Sequence, residues 1–341
     1  MKKAFKGILL ALSLLAVAGL AFAGGAGEKA AGQVTVAGVV LHEDQQHKMG
    51  LAGYEQCAKD YGFKFVGALS QTDAAREVEL INTYLSQGIK GLAIIPINPQ
   101  SSVVPLKTAA QKGMKIAISD NPLVDSSFVV GTCLSDNYAI GQATGKAARE
   151  FIEKNLGGKA IIGGLGYYSL MPESSGSPNA PGGPGRWDGF LSEVMKLPGV
   201  KVVAYQDAWV QDKAVVVGGD MLIAHPEINL LFSSNEGGTI GLTMAVANAG
   251  LQGKVFVFGV DGSEQIVNML KDPKNILQAT TAQDFYQMCY KTMEIVCKAI
   301  KGEDVSQFAG KKTYIGGLFL SRQEPAKLDE FVAKLKKYSG Q

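Results

Sequence analysis

Two polar side chains follow neighbouring apolar runs in the second half of the sequence. The run Ile228–Phe232 is followed by Asn235, and the run Val255–Val260 is followed by Asp261. The segment between these runs has apolar residues at helical spacing, and Gly250 lies where such a helix would end. The pattern predicts a strand–helix–strand unit. Because the carboxyl ends of parallel strands line the ligand crevice of an open sheet, it also predicts an amide and a carboxylate side by side at a binding site.

The same alternation of strands and helices extends along most of the chain. Nearly continuous apolar runs, typical of strands buried on both faces, occur at Val34–Leu41 and Lys159–Leu165, and each begins a series of strands separated by amphipathic helices. The sequence therefore predicts an α/β fold with two doubly wound parallel-sheet lobes. Tyr167–Gly185 interrupts the second series, and its Pro, Gly and Ser residues predict a long functional or mobile loop. Lys311–Leu320 is predicted as one extended segment.

The first residues indicate export. Lys2, Lys3 and Lys6 precede an apolar run, and Ala21-Phe22-Ala23 has the small-x-small form of a signal-peptidase site, so residues 1–23 are expected to be a cleaved signal peptide and the mature protein periplasmic. The alternative is an uncleaved transmembrane anchor. The formal charge of +2 includes the three leader lysines; the 33 basic residues less 3 leave 30 against 31 acidic residues, or −1. This balance does not favour binding to nucleic acid or to an anionic membrane.

The four cysteines do not form a recognisable metal or redox motif. Cys289 and Cys297 are predicted on one helix, where a spacing of eight residues separates them by roughly 12 Å, beyond disulfide reach. They are expected to be core thiols. Cys57 and Cys133 cannot be paired from the sequence. No CxxC is present, so neither a zinc site nor a redox site is indicated, and no cofactor is expected.

Short motifs with polar residues recur in order along both halves. They are Ser119-Asp120-Asn121, Ser135-Asp136-Asn137, Arg186-Trp187-Asp188-Gly189-Phe190, Ala224-His225-Pro226-Glu227-Ile228, Asn235, Gly259-Val260-Asp261-Gly262 and Gln283. With these motifs, the chain from about Val34 to Thr313 resembles the periplasmic sugar-binding proteins of the ribose-binding type. These are type I periplasmic binding proteins and relatives of the LacI-repressor ligand-binding core.

The resemblance implies two lobes joined by a three-strand hinge. The N-terminal lobe would comprise residues 34–134 plus 285–313, and the C-terminal lobe residues 135–284 plus 314–341. Sugar recognition needs bidentate carboxylates and amides, a fork-shaped cation and flat aromatic walls. By similarity, the polar contacts would come from Asp120, Arg186, Asn235, Asp261 and Gln283, and Trp209 would stack on the sugar ring.

Several of these residues also have a purely structural interpretation. Asn235 could cap the helix that follows it. Asp261, which precedes Gly262, could be a turn residue. Asp120 could form an Asx-turn ahead of Pro122.

Two further members of the implied site have their own alternatives. Arg186 could be a solvated surface charge beside the Pro- and Gly-rich loop. Trp209 could be an ordinary core residue. Both alternatives stay open on the sequence alone.

The chain departs from the ribose-binding pattern after its first strand. Relatives place Asn and aromatic residues there, whereas this chain has the charged stretch Leu41–His47, with a helix predicted from about Lys48. His42, Glu43 and Asp44 are candidate specificity residues, or else belong to a solvated loop with a helix-capping role. Asn121 occupies a slot where relatives often carry Arg. Both departures indicate a ligand other than ribose: another polyol, a branched or modified sugar, or a small signalling molecule.

Two look-alike motifs do not have the spacing that their chemistry needs. His42-Glu43 with His47 only loosely resembles a zinc-protease helix, which requires histidines four residues apart. Gly163-Gly164-Leu165-Gly166 lacks the spacing of a dinucleotide-binding turn. Metal catalysis and nucleotide binding are therefore not predicted.

The predicted function is capture of a sugar-like ligand between two lobes by a monomeric periplasmic receptor that delivers it to an ABC transporter permease. A sensory role, with a chemoreceptor or sensor kinase as partner, would use the same fold. A secreted carbohydrate-active enzyme would need Asp261 with Glu236 or Asp120 as an acid–base pair. A repressor core is disfavoured because an export signal stands where DNA-binding helices would be.

Overall fold

A computed structural model describes residues 33–169, 172–176 and 185–339. The residues from Val34 onward belong to one unit. The predicted signal peptide and residues 170–171 and 177–184 of the predicted loop lie outside the described residues. Within the described ranges, the search for a helix long and apolar enough to cross a membrane finds none.

Strands and helices alternate through both halves, as predicted. The strands are β1 (Thr35–Val40), β2 (Lys64–Leu69), β3 (Gly91–Ile94), β4 (Lys115–Ser119), β5 (Gly131–Ser135), β6 (Lys159–Gly166), β7 (Gly199–Asp207), β8 (Leu230–Ser233), β9 (Phe256–Val260), β10 (Leu277–Gln283), β11 (Lys312–Ile315) and β12 (Gly317–Ser321). The helices are α1 (Gln45–Asp60), α2 (Ala74–Ser86), α3 (Val103–Gln111), α4 (Asn137–Asn155), α5 (Pro172–Ser175), α6 (Arg186–Val194), α7 (Gln211–Ala224), α8 (Glu236–Asn248), α9 (Glu264–Lys271), α10 (Phe285–Ile300) and α11 (Pro325–Ser339).

The strands form two six-stranded sheets with matching topology. The first has the order β11-β5-β4-β3-β1-β2 and the second β12-β10-β9-β8-β6-β7. All pairings are parallel except that of β10 with β12, which is antiparallel. In each half the first strand lies inside the sheet and the next strand forms its edge. The predicted α/β fold with two doubly wound sheets is therefore confirmed.

The sequence pattern accounts for the central strands and for the ends of several helices. All four residues of β3, and all but the first residue of β4, are buried, because helices cover both faces of a doubly wound sheet. Helix α2 ends before Gly88 and α8 ends before Gly250, with φ values of 72° and 67° at the two glycines. These left-handed conformations carry no steric cost for glycine, so the two residues end the helices where predicted.

Three connections join the two sheets. The chain passes from β5 to α4 through Asp136, from β10 to α10 through Asp284, and from β11 to β12 through Gly316. The predicted single extended segment Lys311–Leu320 is wrong, because its first half pairs with β5 and its second half with β10. The proposed lobe boundaries near these connections stay a prediction.

Helix α1 begins earlier than predicted. Its first residue is Gln45 instead of Lys48, because the Asp44 side chain caps it by accepting a hydrogen bond from the backbone N–H of His47 at 2.9 Å. Part of the stretch read as a charged loop is therefore helix. This shift places Gln46 and His47 on the first turn of α1.

All four cysteines are buried and unbridged. Cys289 and Cys297 are core thiols, as predicted. The Cys57 thiol on α1 contacts the Cys297 thiol on α10, and this contact, together with burial, raises the pKa of Cys57. The tight packing of α1 against α10 brings the two thiols together, a proximity that sequence spacing alone did not indicate.

Candidate functional site

Two aspartates lie at equivalent strand ends in the two sheets. Asp120 follows β4 and Asp261 follows β9, and their φ values of 62° and 73° are uncommon for residues other than glycine. The Asp120 N–H donates to the carbonyl of Cys133 on the next strand at 3.0 Å, and the Asp261 N–H donates to that of Thr281 at 3.0 Å. Both residues line a cavity of about 520 Å³, which also borders β11 and the connections between the sheets.

Arg186 supplies the buried cation of this cavity. It is the first residue of α6 and is 4% exposed, so the alternative of a solvated surface charge is wrong. Its Nε donates to Oδ1 of Asn137 at 2.9 Å, and its Nη1 donates to the Ser234 carbonyl at 2.9 Å. Nη1 also lies 3.5 Å from Oδ1 of Asp261. These partners hold the guanidinium in one orientation at the cavity wall.

The close approach of α4 and α6 positions this cation. A Cβ atom added at Gly141 of α4 would lie 1.9 Å from the Arg186 carbonyl oxygen, and one added at Gly189 of α6 would lie 2.0 Å from that of Tyr138. Only glycine allows the two backbones to pack this closely. The Asn137 side chain, at the start of α4, is therefore brought within hydrogen-bonding distance of Arg186.

The two aspartates differ in their side-chain partners. Oδ2 of Asp261 accepts a hydrogen bond from the Glu236 N–H at 3.0 Å, in addition to the Arg186 contact. Among the described residues, the Asp120 carboxylate has no hydrogen-bond donor. Burial raises the pKa of Asp120, and the charges of His47 and Arg186 only partly offset this effect.

Burial also governs the other ionisable groups around Arg186. Although burial alone would lower it, the pKa of Arg186 is raised by its acidic neighbours, so the guanidinium stays charged. Burial raises the pKa of Tyr167 to about 12. The guanidinium carbon of Arg186 lies 5.7 Å from the centre of the Tyr167 ring, within cation–π range.

Asn235 and Trp209 lie together on the cavity wall. The Asn235 side chain caps α8, as its alternative interpretation required, by accepting a hydrogen bond from the Gly238 N–H at 3.2 Å. Its Nδ2 donates to the Trp209 carbonyl at 2.9 Å. Trp209 is 37% exposed and lines the cavity, so it is not an ordinary core residue.

Gln283 joins the large cavity to a second cavity of about 320 Å³. It lines both, as does Asp261. The Gln283 side chain donates to Oγ of Ser135 at 2.8 Å and accepts from Nε2 of Gln46 at 3.1 Å. The first turn of α1, beside the first sheet, is therefore tied to the last residue of β10 in the second sheet.

The candidate specificity residues after β1 have different positions. Asp44 lines the second cavity. Glu43 is 78% exposed at its side chain, with its carboxylate 3.9 Å from Nζ of Lys48. His42 is outside both cavity linings and packs against the ring of His47 at 5.1 Å. Asn121 also lies outside both linings and donates to the Pro96 carbonyl at 3.0 Å.

The sequence analysis did not identify several of the residues that line the cavities. Asn137 stood in a quoted motif without a role, and the tyrosines occur in stretches with no recognisable pattern. The residues concerned are Gln46, Asn137, Tyr138, Tyr167 and Tyr314. Only the tertiary fold brings them to the strand ends.

The chemistry of the large cavity is that of hydrogen bonding between polar walls and aromatic surfaces. A search of the described residues finds no group of three or more His, Cys, Asp or Glu side chains that could hold a metal ion. The Asp261 carboxylate is occupied by Arg186 and a backbone N–H. The Asp120 carboxylate is open, and Arg186 is fixed and charged, so the walls present both an acceptor and a donor to a neutral hydroxyl-bearing ligand.

Comparison with known proteins agrees with this architecture. The family model for a periplasmic binding protein domain matches residues 45–304. The D-allose-binding periplasmic protein of Escherichia coli is 28% identical over 241 residues, which cover 68% of this chain and 73% of the relative. The ribose import binding protein of Salmonella typhimurium is 29% identical over 255 residues, which cover 74% of this chain and 80% of the relative.

A solved structure shares the fold. It is the ABC transporter periplasmic solute binding protein of Actinobacillus succinogenes with bound D-allose. Its TM-score is 0.69 at 23% identity, over 86% of this chain and 100% of that protein. With a family match over more than half of its length and this two-sheet topology, the chain belongs to the periplasmic binding protein family.

Proposed function

We propose that this chain captures a sugar or sugar-like polyol in the cleft between its two sheets and delivers it to an ABC transporter permease. The observation that carries this proposal is the set of groups around the 520 Å³ cavity. A buried guanidinium, an open carboxylate and amides meet there with aromatic rings, which is the set that hydroxyl pairs and apolar C–H faces require. The periplasmic relatives, named for allose and ribose, support the same ligand class.

Specific residues have specific roles in this proposal. Asp120 accepts from ligand hydroxyls and Arg186 donates to ligand oxygens. Asn235 and Gln283 contact further hydroxyls, and Trp209 covers an apolar face of the ring. Asp261 holds Arg186 in place and contacts the ligand with its remaining lone pairs.

Ligand capture would be coupled to closure of the two lobes. The connections at Asp136, Asp284 and Gly316 are short and lie together between the sheets, so they can act as hinges. Contacts from both lobes would stabilise the closed state. The proposed location is the periplasm, reached through cleavage after Ala23, and mass spectrometry of the exported protein tests that cleavage.

A thermal-shift screen tests the binding function. A ligand that prefers the folded chain raises its unfolding midpoint, so pentoses, hexoses, deoxy sugars, sugar alcohols and autoinducer-type molecules are compared. Asp261→Ala and Arg186→Ala are expected to abolish the shift. Asp329→Ala, which removes an exposed carboxylate paired with Lys271, should leave it unchanged.

The outcome that contradicts the proposal is a folded chain whose midpoint no compound moves. A scattering radius that stays constant on binding would contradict closure. Incubation of each sugar that binds, followed by analysis for products, tests the enzyme alternative. Turnover that depends on Asp120 or Glu236 would replace the receptor proposal with that alternative.

A further inference from the structure

His47 on the first turn of α1 has an unusual hydrogen-bonding state. Its Nδ1 lies 2.8 and 2.9 Å from the two carboxylate oxygens of Asp44, and the residue is 8% exposed. Its Nε2 is buried and has no hydrogen-bond partner among the described residues. Buried polar atoms are nearly always paired in folded proteins, so this nitrogen calls for a functional explanation.

The surroundings of His47 place it at the wall of the binding cleft. The rings of His42 and Phe285 pack against it at 5.1 and 5.7 Å. Asp120 is close enough to interact electrostatically with the imidazole. The adjacent Gln46 is hydrogen-bonded to Gln283, which lines both cavities.

Asp44 sets the chemical character of the exposed edge of this imidazole. A carboxylate on Nδ1 holds the proton there, which leaves Nε2 of the neutral ring as an acceptor. Such an acceptor needs an O–H or N–H donor. No described protein group supplies one, whereas a polyol carries several.

We propose that His47 is a ligand-contacting residue whose Nε2 accepts a hydrogen bond from one hydroxyl of the bound sugar while Asp120 accepts from a neighbouring hydroxyl. The proposal rests on the proposed function, and it specifies a ligand with two adjacent hydroxyl groups at this end of the cleft. Because Nε2 is shielded from solvent, the first turn of α1 must shift when the ligand enters. The Gln46–Gln283 hydrogen bond is the contact that gives way.

This contact makes binding depend on pH. The charged and titratable groups that face the ring are Asp44 on its own helix, His42 before that helix and Asp120 after β4, whereas α10 presents the uncharged Phe285. Protonation converts Nε2 from an acceptor to a donor, and the imidazolium then pairs with Asp120 and competes with the ligand. Affinity therefore falls as the pH drops from 8 to 5, the range in which histidines change charge.

Calorimetric titration of three variants tests the assignment. The probe is whichever of D-allose, D-ribose, D-arabinose and myo-inositol binds the parent chain most tightly, and titrations are made at pH 8, 7, 6 and 5. His47→Asn keeps a donor toward Asp44 but removes the Nε2 group, so Kd should rise about tenfold and lose its pH dependence. His47→Gln restores a polar group near Nε2, so affinity should partly recover while the pH profile stays flat.

The matched control is His225→Asn, which removes an exposed histidine 3.4 Å from Glu227. It should keep the affinity and pH profile of the parent. Should His47→Asn fail to fold, Asp44→Asn serves in its place, because asparagine is an equally good helix cap. It should lower the affinity and displace the pH profile.

The outcomes separate this proposal from the proposed function. If His47→Asn or the substitute Asp44→Asn binds and titrates like the parent, His47 is not a ligand contact, although Asp261→Ala and Arg186→Ala still abolish binding. A His47→Gln profile that follows the parent would also overturn the assignment. If the parent binds none of the four sugars while a different class of compound raises its unfolding midpoint, the adjacent-hydroxyl assignment falls together with the sugar proposal.

Discussion

Asp120 and Asp261 occupy equivalent positions in two sheets of the same topology, yet their side chains have different environments. Both follow the fourth strand of their half, both adopt positive φ, and both donate backbone N–H groups to the next strand. Asp261 is held by Arg186 and the N–H of Glu236, whereas the Asp120 carboxylate has no donor in the described chain. The backbone is thus repeated, while the elements around it make one carboxylate structural and leave the other open.

The helices that follow the first strand of each half explain this difference. Helix α6, which precedes β7, places Arg186 beside Asp261, and α1, which precedes β2, places His47 near Asp120. A guanidinium is a permanent donor, while an imidazole held by a carboxylate is an acceptor at neutral pH. The pair of halves therefore presents opposite hydrogen-bonding characters to a ligand between them.

Removal of the guanidinium should break the comparison with the largest effect. Arg186→Ala leaves the Asp261 carboxylate buried without its cation, so the free energy of unfolding should fall by about 3–5 kcal/mol in urea denaturation. Lys271→Ala, which breaks an exposed ion pair with Asp329, should cost less than about 1 kcal/mol. Equal losses in the two variants would contradict the anchoring role of Arg186.

The helix contact behind Arg186 should give the next largest effect. In Gly141→Ala the new methyl group would lie 1.9 Å from the Arg186 carbonyl oxygen, so α4 and α6 must separate, with a loss of about 2–3 kcal/mol. The matched control is Gly219→Ala in α7, where no atom lies within 4 Å and alanine should stabilise by about 0.5–1 kcal/mol. Urea midpoints measure both. Similar signs for the two changes would exclude the close-packing explanation.

Neutralisation of the anchored aspartate should have an intermediate effect. Asp261→Asn keeps the shape of the side chain but weakens its charge-assisted bonds to Arg186 and to the Glu236 N–H, so unfolding free energy should fall by about 1.5–3 kcal/mol. Ligand affinity should fall as well. A variant as stable as the parent chain would show that the Arg186–Asp261 contact contributes little to folding.

Neutralisation of the open aspartate should have the smallest effect on stability and the opposite sign. Burial raises the folded-state pKa of Asp120, so the unfolded chain releases this proton first and the parent loses stability as pH rises through the interval between the two pKa values. Asp120→Asn should therefore stabilise the chain at pH 7 by about 0.5 kcal/mol, at the low end of such gains.

This gain should disappear below the usual titration range of aspartate, where both states of the parent are protonated. Urea midpoints at pH 7 and pH 3 measure the difference. Ligand affinity should nevertheless fall about tenfold at pH 7, because a carboxylate acceptor is lost. A destabilised Asp120→Asn variant at pH 7 would place Asp120 among the structural residues, with Asp261.

The sequence predicted the site best where function coincides with a strand end. Asp120, Asn235 and Asp261 follow apolar runs, so the rule for parallel sheets indicated their common edge without any contact information. It failed where a helix boundary mattered. His47 was read as part of a charged loop, because the Asp44 cap that starts α1 could not be distinguished from a solvated aspartate. The two thiols of Cys57 and Cys297 are likewise 240 positions apart, and only the packing of two helices joins them.

What the residues by themselves determined is the order of strands and helices, their alternation in two similar halves and the polar residue at each strand end, because these depend on local periodicity and chain connectivity. The tertiary structure alone decided which carboxylate is paired, that Arg186 is buried, and that the segment after Lys311 divides between two sheets. Those properties depend on neighbours distant in sequence, whose approach is set by helix packing and not by any local pattern.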